Sequence, residues 1–136
     1  MATTTYLSNP YQVSVNAVDL TDNCSAATLT LGNTSLDATA FGATGLSMTA
    51  GLQTVAGSLT LFAAYGSGDV EATIYAQVGL GTTTIVLQKG STLSASNPKW
   101  TITNCMIKDY PVEMKVGELQ IMTVNFEAGT WARAIA

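Results

Sequence analysis

The amino-acid sequence predicts a mainly β fold: a β-sandwich or small barrel of about seven or eight strands with one short flanking α-helix. Apolar residues alternate with Thr, Ser and Asn in many short segments, which is the period of two that a pleated strand imposes. Gly, Asn, Asp and Pro separate these segments. Only one segment has the four-residue apolar spacing of a helix face. The length of 136 residues suggests a single domain.

The first third of the chain predicts an arm followed by three strands. Residues 1–11 lack apolar periodicity, so we expect an N-terminal arm in front of a folded domain over residues 12–128. Alternation predicts the first strands at residues 13–17, 27–31 and 36–40. Turns are predicted at residues 19–23 and at Gly32-Asn33.

A long uncharged loop is predicted at residues 41–52. It carries Phe41, Leu46, Met48 and Leu52 among Gly, Ala, Ser and Thr. A loop that only connects strands is usually short and polar. Apolar side chains on such a loop are unfavourable in water unless something covers them. We therefore expect a partner subunit to cover these four side chains.

The helical segment is predicted at about residues 69–78. Val70, Ile74 and Val78 recur at four-residue spacing and so share one face. Asp69 and Glu71 favour the positive end of a helix dipole, and the glycine that follows Val78 provides a stop. The alternative is a further strand, which would leave both end signals unexplained.

Alternation resumes in the second half of the chain. It predicts strands around residues 84–87, 100–110 and 119–126. In the last of these, Leu119 and Ile121 face one way, whereas Met122, Val124 and Phe126 face the other. Because both faces are apolar, we expect a strand that is covered on two sides.

Residues 129–136 have no strand pattern around them and predict a C-terminal arm. This arm holds Trp131 and Arg133. Trp131 either folds back onto its own domain or packs on a neighbouring subunit, and aromatic residues anchor interfaces more often than their abundance predicts. We take Trp131 and Arg133 as candidate contacts between subunits, together with the apolar residues of the predicted loop.

The charge content is low and unevenly distributed. Asp, Glu, Lys and Arg make up 10% of the chain, against about 25% in a typical soluble domain. The net charge is −4, and all five basic residues lie at or after Lys89. Such a chain is a poor binder of nucleic acid, because affinity for phosphates depends on Lys and Arg. It suits a subunit covered largely by copies of itself, and the alternative is a weakly charged monomer.

Few residues point to chemistry. The chain has no histidine, which excludes Ser-His-Asp and Cys-His catalysis. No secretion signal is recognised in the sequence, so we expect Cys24 and Cys105 to be reduced thiols. Two isolated thiols do not provide the four ligands of a metal site. Asp109, Glu113 and Glu118 could in principle form a glycosidase-type pair, although solvated charges at a turn explain them better. The sequence predicts no cofactor, no metal, no membrane span and no enzymatic activity.

The order of several short motifs resembles tail tube proteins of long-tailed (siphovirus-type) bacteriophages, particularly the small actinobacteriophage-like type. The resemblance covers nearly the whole chain. The matching segments are VNAVDLTD at residues 15–22, DATAFG at 37–42, GL at 51–52, GSL at 57–59, ASNPKW at 95–100, VGEL at 116–119, TV at 123–124 and RA at 133–134. Residues 46–49 depart from the family, whose segment here is often basic.

The resemblance implies a β-sandwich with a flanking helix that forms hexameric rings. In the family these rings stack into a tube through which DNA is ejected without specific binding, and the long loop and terminal arms contact neighbouring rings. For this chain it implies self-assembly in a virion tail that is put together in the host cytoplasm. It also implies tape measure and tail terminator proteins as partners, and Asp37, Asp69 and Glu71 as acidic residues facing the lumen.

Two other classes of function remain open from the sequence. One is a different virion structural protein, such as a head decoration or tail-completion subunit. The other is a carbohydrate-binding β-sandwich, which requires an exposed aromatic platform. Trp100, Trp131 and Tyr110 are the candidates for that platform.

Overall fold

The computed structural model describes residues 11–136. The predicted N-terminal arm therefore lies outside the described residues, apart from Tyr11. Eight strands and one α-helix follow along the chain. They are β1 (Gln12–Val15), β2 (Val18–Asp19), β3 (Cys24–Asp37), β4 (Met48–Phe62), α1 (Val70–Gln77), β5 (Thr83–Gln88), β6 (Lys99–Ile107), β7 (Ile121–Glu127) and β8 (Thr130–Ala134).

The strands form one antiparallel sheet in the order β2-β1-β5-β6-β7-β4-β3, and β8 pairs with β6. Strands from distant positions in this order, such as β1 and β4, place their side chains in one hydrophobic core. The sheet must therefore curl around that core. The predicted mainly β class is confirmed, since the described residues form eight strands and one α-helix.

The core follows the period-two pattern of the strands. In β7, Met122, Val124 and Phe126 are buried and the residues between them are exposed. Helix α1 adds Val70 and Ile74 to the same core, as its spacing predicts. The helix begins after Asp69, and Thr73 Oγ1 donates a 2.8 Å hydrogen bond to the Asp69 carbonyl oxygen.

The expectation that β7 is covered on both faces is wrong within residues 11–136. Leu119 and Ile121 are exposed, because no other element of the described chain covers that side. The predicted turn at Gly32-Asn33 is also absent: β3 runs unbroken through it, since Gly32 pairs with Thr54 of β4. The pairing register shifts just beyond this point, where Asn33 pairs with Gln53 but Ser35 pairs with Ala50, so β4 contains a bulge.

Residues 129–136 contain strand β8 where the sequence predicts an arm. β8 continues the direction of β7, and both pair with β6 in one continuous register. Thr103 faces Thr130 on one side of the bend, and Met106 faces Glu127 on the other. The strand pattern is too short here to be recognised without its partner.

The bend between β7 and β8 depends on glycine at position 129. Gly129 has φ +95°, and a Cβ there would lie 2.3 Å from the Thr103 carbonyl oxygen. We expect Gly129→Ala to lower the free energy of unfolding by about 3 kcal/mol, from strain and overpacking combined. Ala128 already has φ +71°, so Ala128→Gly should change it by less than about 1 kcal/mol. Urea unfolding of both variants tests this, and equal losses would contradict it.

Candidate assembly surface

The β3–β4 hairpin extends beyond the sheet. Residues 56–61 of β4 pair with both β3 and β7, whereas residues 48–55 have ladder partners only in β3. We call residues 32–54 the projecting hairpin. Its outer strand portion of about six residues spans roughly 20 Å at the rise of an extended strand.

The predicted loop at residues 41–52 is in fact shorter and lies at the tip of this hairpin. The tip comprises residues 38–47, and Met48 and Leu52 belong to β4. Thr34 lies opposite two residues, Gly51 and Leu52, because pairing passes from Asn33–Gln53 to Ser35–Ala50. Such a bulge twists a strand locally. Gly51 permits it, since a Cβ there would lie 2.3 Å from Thr34 Oγ1.

Hydrogen bonds order the tip. The Ala38 amide donates a 2.8 Å hydrogen bond to the Ser47 carbonyl oxygen. The Ser47 amide donates a 2.8 Å hydrogen bond to Thr39 Oγ1. The Thr39 amide donates to Asp37 Oδ1 at 2.9 Å. Hydrogen bonds from the Thr39 hydroxyl and amide lower the pKa of the Asp37 carboxyl. The tip is thus a defined loop whose shape is set by its own polar groups.

Several large apolar side chains of the projecting hairpin are exposed. Phe41 is fully exposed at 109%, and Leu46 and Leu52 are exposed at 82% and 81%. Leu36 and Met48 are about half exposed. No charged residue occurs between Asp37 and Asp69. A concentration of exposed apolar side chains in an uncharged segment indicates a site of interaction with another molecule.

Trp131 braces the base of the hairpin. Its indole Nε1–H donates a 2.9 Å hydrogen bond to the Gly32 carbonyl oxygen, and its backbone amide donates to Gln53 Oε1 at 3.0 Å. The ring is half-buried against the core. Trp131 therefore folds back onto its own domain, which was one of the two alternatives. Arg133 lies two residues further along β8 and is exposed.

Removing the indole hydrogen bond should loosen the hairpin. We expect Trp131→Phe to lower the free energy of unfolding by about 1 kcal/mol. Amide hydrogen exchange should speed up near Gly32 and Gln53. Trp100→Phe is the matched control, because the Trp100 side chain is half-buried and makes no hydrogen bond in the described structure. Equal exchange in both variants would contradict the bracing role.

The three acidic lumen candidates lie at opposite ends of β4. Asp37 pairs with Met48 at the start of β4, whereas Asp69 and Glu71 follow its end, at the first turn of α1. The Tyr110 hydroxyl donates a hydrogen bond to Glu71 Oε1. That bond, together with burial and the charge of Glu71, raises the pKa of Tyr110 to about 12. Glu71 is therefore engaged within the subunit.

The Tyr110–Glu71 bond predicts a loss of stability in alkali. Folding favours the protonated phenol, so its contribution is fully present below pH 10 and is lost as the pH rises towards 12. In ultraviolet titration of the phenolates, one tyrosine should ionise late in the native protein. Glu71→Gln should bring that tyrosine back towards its ordinary pKa. An unchanged titration curve would contradict the assignment.

A second exposed apolar surface lies at the other end of β4. We call it the end patch, and it combines the end of β4, the start of β7 and the loop before β7. Its members are Phe62, Val112, Met114, Val116, Leu119 and Ile121. Phe62 and Ile121 face each other across the pair β4–β7. Sequence reasoning missed Val112, Met114 and Val116, although their alternation with charged residues was a detectable signal.

The residues required by the rival functions are engaged elsewhere. Trp100, Trp131 and Tyr110 are each half-buried, so none is a flat exposed platform for a sugar ring. Asp109 Oδ2 accepts a 2.6 Å hydrogen bond from Asn125 Nδ2, and Glu113 pairs with a lysine. Within residues 11–136, no group of three His, Cys, Asp or Glu could hold a metal ion.

The two cysteines are not paired with each other. Both cysteines are free thiols, Cys105 buried and Cys24 half-buried. Burial raises the pKa of the Cys105 thiol to about 11, which makes it unreactive at neutral pH. Over the described part of the chain, no helix has the length and apolar character needed to cross a membrane.

The fold is similar to solved structures of tube assemblies. One is the tube-terminating cap of the anti-feeding prophage, with a TM-score of 0.71 and 9% identity, covering 100% of this chain and 95% of that chain. Another is a chain of the sheath-tube complex of an extracellular contractile injection system in its extended state. Its TM-score is 0.68 at 10% identity, covering 96% of this chain and 91% of that chain. At this identity the likeness establishes the fold alone.

Comparison by sequence gives no relative. No protein-family model matches this chain. A search of curated proteins finds no match either.

Proposed function

We propose that this chain is a structural subunit of a phage tail or tail-like tube. The projecting hairpin carries the proposal, because no other part of residues 11–136 covers its exposed apolar tip. The likeness to components of tube assemblies supports it. Subunits would form rings, hexameric as the sequence resemblance implies, and stacked rings would form the conduit for DNA ejection.

The charge distribution is consistent with such a conduit. A net charge of −4 gives passing DNA little to bind. We retain Asp37, Asp69 and Glu71 as proposed lumen residues, of which Glu71 is the least favoured because its carboxylate already accepts a bond from Tyr110. The role is non-enzymatic, and the proposed location is the tail of a virion, assembled in the host cytoplasm.

Contacts between subunits are proposed at Phe41, Leu46, Met48 and Leu52. Trp131 acts indirectly, by fixing the base of the hairpin. Arg133 remains a proposed contact because it is exposed beside that base. Tape measure and tail terminator proteins would be further partners inside and at the end of the tube.

A second candidate is a tube-terminating subunit. The full coverage of this chain by the match to a tube-terminating cap favours it. A terminating subunit would form discrete rings that do not stack, because one of its two end surfaces would face a different protein.

Negative-stain electron microscopy of the purified protein over a range of concentrations tests both candidates. A tube subunit should give filaments with a central channel, and a terminating subunit should give single rings. A monomer at every concentration would contradict both.

A further inference from the structure

We propose that Arg133 of one copy of this chain binds between the tyrosine rings and the Glu71 carboxylate of a second copy. The receiving site, which we call the tyrosine cluster, consists of Tyr65, Glu71, Tyr75 and Tyr110. The inference rests on the proposed self-assembly, for which it names a contact that does not involve the projecting hairpin.

The tyrosine cluster is built at the start of helix α1. Glu71 and Tyr75 lie four residues apart and so share one face of the helix. The Glu71 amide donates a 3.0 Å hydrogen bond to the Ala64 carbonyl oxygen, which holds the neighbouring Tyr65 near the first turn. The rings of Tyr75 and Tyr110 meet edge to face, with their centroids 5.6 Å apart. Three aromatic rings are thereby grouped near one carboxylate.

The cluster is open and its carboxylate lacks a cation. Tyr65 and Tyr75 are exposed at 55% and 69%. Glu71 is half-buried, and within residues 11–136 its carboxylate accepts a hydrogen bond only from the Tyr110 hydroxyl and forms no ion pair. Removing a charge from water is unfavourable unless a counter-charge accompanies it. Aromatic faces also attract cations, so the cluster fits a positively charged side chain.

Arg133 is the cation that suits this site. It is the only arginine of the chain, and its side chain is exposed on β8. Lys108 and Lys115 pair with glutamates of their own chain, whereas Arg133 has no acidic partner within residues 11–136. A planar guanidinium can stack on an aromatic ring and donate to a carboxylate at the same time, which an ammonium group does less well.

Arg133 cannot reach the tyrosine cluster of its own chain. Trp131, two residues before it, bonds to Gln53, whereas Glu71 bonds to Ala64. Most of the stretch from Gln53 to Ala64 is extended in β4 and is roughly 30 Å long. The contact must therefore join two copies, and two different surfaces that meet in this way generate rings or filaments. It would also place Glu71 between copies and away from the lumen.

Charge exchange between two full-length variants tests the contact. Arg133→Glu sets a carboxylate against Glu71 of the next copy, and Glu71→Arg sets two guanidinium groups against each other. Neither variant alone should assemble. In an equal mixture each surface meets an opposite charge, and analytical ultracentrifugation should show assemblies near the wild-type concentration. A mixture that assembles no better than its components would overturn the contact.

A milder variant covers the case in which Glu71→Arg fails to fold. Glu71→Gln keeps an oxygen that can accept the Tyr110 hydrogen bond but removes the charge, and circular dichroism should show a native spectrum. We expect the concentration at which assemblies appear to rise about tenfold. An unchanged concentration would overturn the role of the carboxylate.

The matched control separates this contact from a general effect of net charge. Lys99 lies at the same end of β6 as Arg133, since it faces Ala134 and Trp100 faces Arg133. Arg133→Gln should raise the assembly concentration about thirtyfold, whereas Lys99→Gln should raise it less than about threefold. Equal shifts in the two variants would overturn the assignment to Arg133.

The outcome also distinguishes this inference from the proposed function. Tubes or rings of the wild-type protein that are unaffected by Arg133→Gln and Glu71→Gln would overturn the contact and leave the structural role intact. A wild-type protein that never assembles would overturn both.

Discussion

A variant that lacks the hairpin tip will fold normally and will polymerise only at a much higher concentration. The Ala38 amide donates a hydrogen bond to the Ser47 carbonyl oxygen across the hairpin, so a two-residue Asn-Gly turn between these residues can replace residues 39–46 and keep both strands. The change removes Phe41 and Leu46 and keeps the core intact. Without the burial of these two side chains, the free energy of association should weaken by about 3 kcal/mol per contact, which lowers the association constant about a hundredfold.

The measurement is a comparison of assembly and stability on the same samples. Sedimentation should give the concentration at which assemblies appear, and circular dichroism should give the thermal midpoint. We expect the concentration at which assemblies appear to rise by about a hundredfold or more, and the thermal midpoint to stay nearly constant. Ala43→Thr is the control, because it alters the exposed tip but keeps both apolar side chains. Normal tubes from the shortened protein would show that the tip is not the contact.

The second large effect is on stability, and it is expected from Phe126 in the core beneath β4 and β7. Phe126 is 1% exposed, and its ring lies against Gly57, where a Cβ would come within 2.6 Å of Phe126 Cζ. Because β4 carries the hairpin and β7 holds β4 in the sheet, this contact joins the two strands. We expect Phe126→Ala to lower the free energy of unfolding by about 4 kcal/mol.

A loss of this size is a large part of the stability of a small domain, so Phe126→Leu is the milder companion, with an expected loss of about 1.5 kcal/mol. Thr123→Ala, on the exposed face of the same strand, should change stability by less than about 0.5 kcal/mol. Chemical denaturation gives all three values. Equal losses in the buried and exposed variants would contradict the assignment of the core.

Local patterns predicted the elements whose signals lie within one segment. The helix was recognised because Val70 and Ile74 have helical spacing and the acidic residues Asp69 and Glu71 lie at its start. The alternation of Met122, Val124 and Phe126 identified the buried face of β7. The apolar residues near the tip were recognised because they stand out in an uncharged segment, and the structure leaves them exposed.

Features that depend on distant partners could not be predicted in the same way. Gly32-Asn33 has the composition of a turn, but pairing with β4 holds it in an extended strand. Residues 130–134 have no clear alternation and become a strand because β6 supplies the hydrogen-bond partners. Leu119 and Ile121 indicated a covered face. Within residues 11–136 no segment covers that face, so a pattern read from the strand alone could not tell whether its cover comes from the same chain.

Cryo-electron microscopy of the assembled protein would locate the Phe41 side chain relative to its neighbours. We expect Phe41 to contact a different copy of the chain in every repeat of the assembly. A map in which Phe41 remains in solvent, or packs on its own subunit, would contradict it.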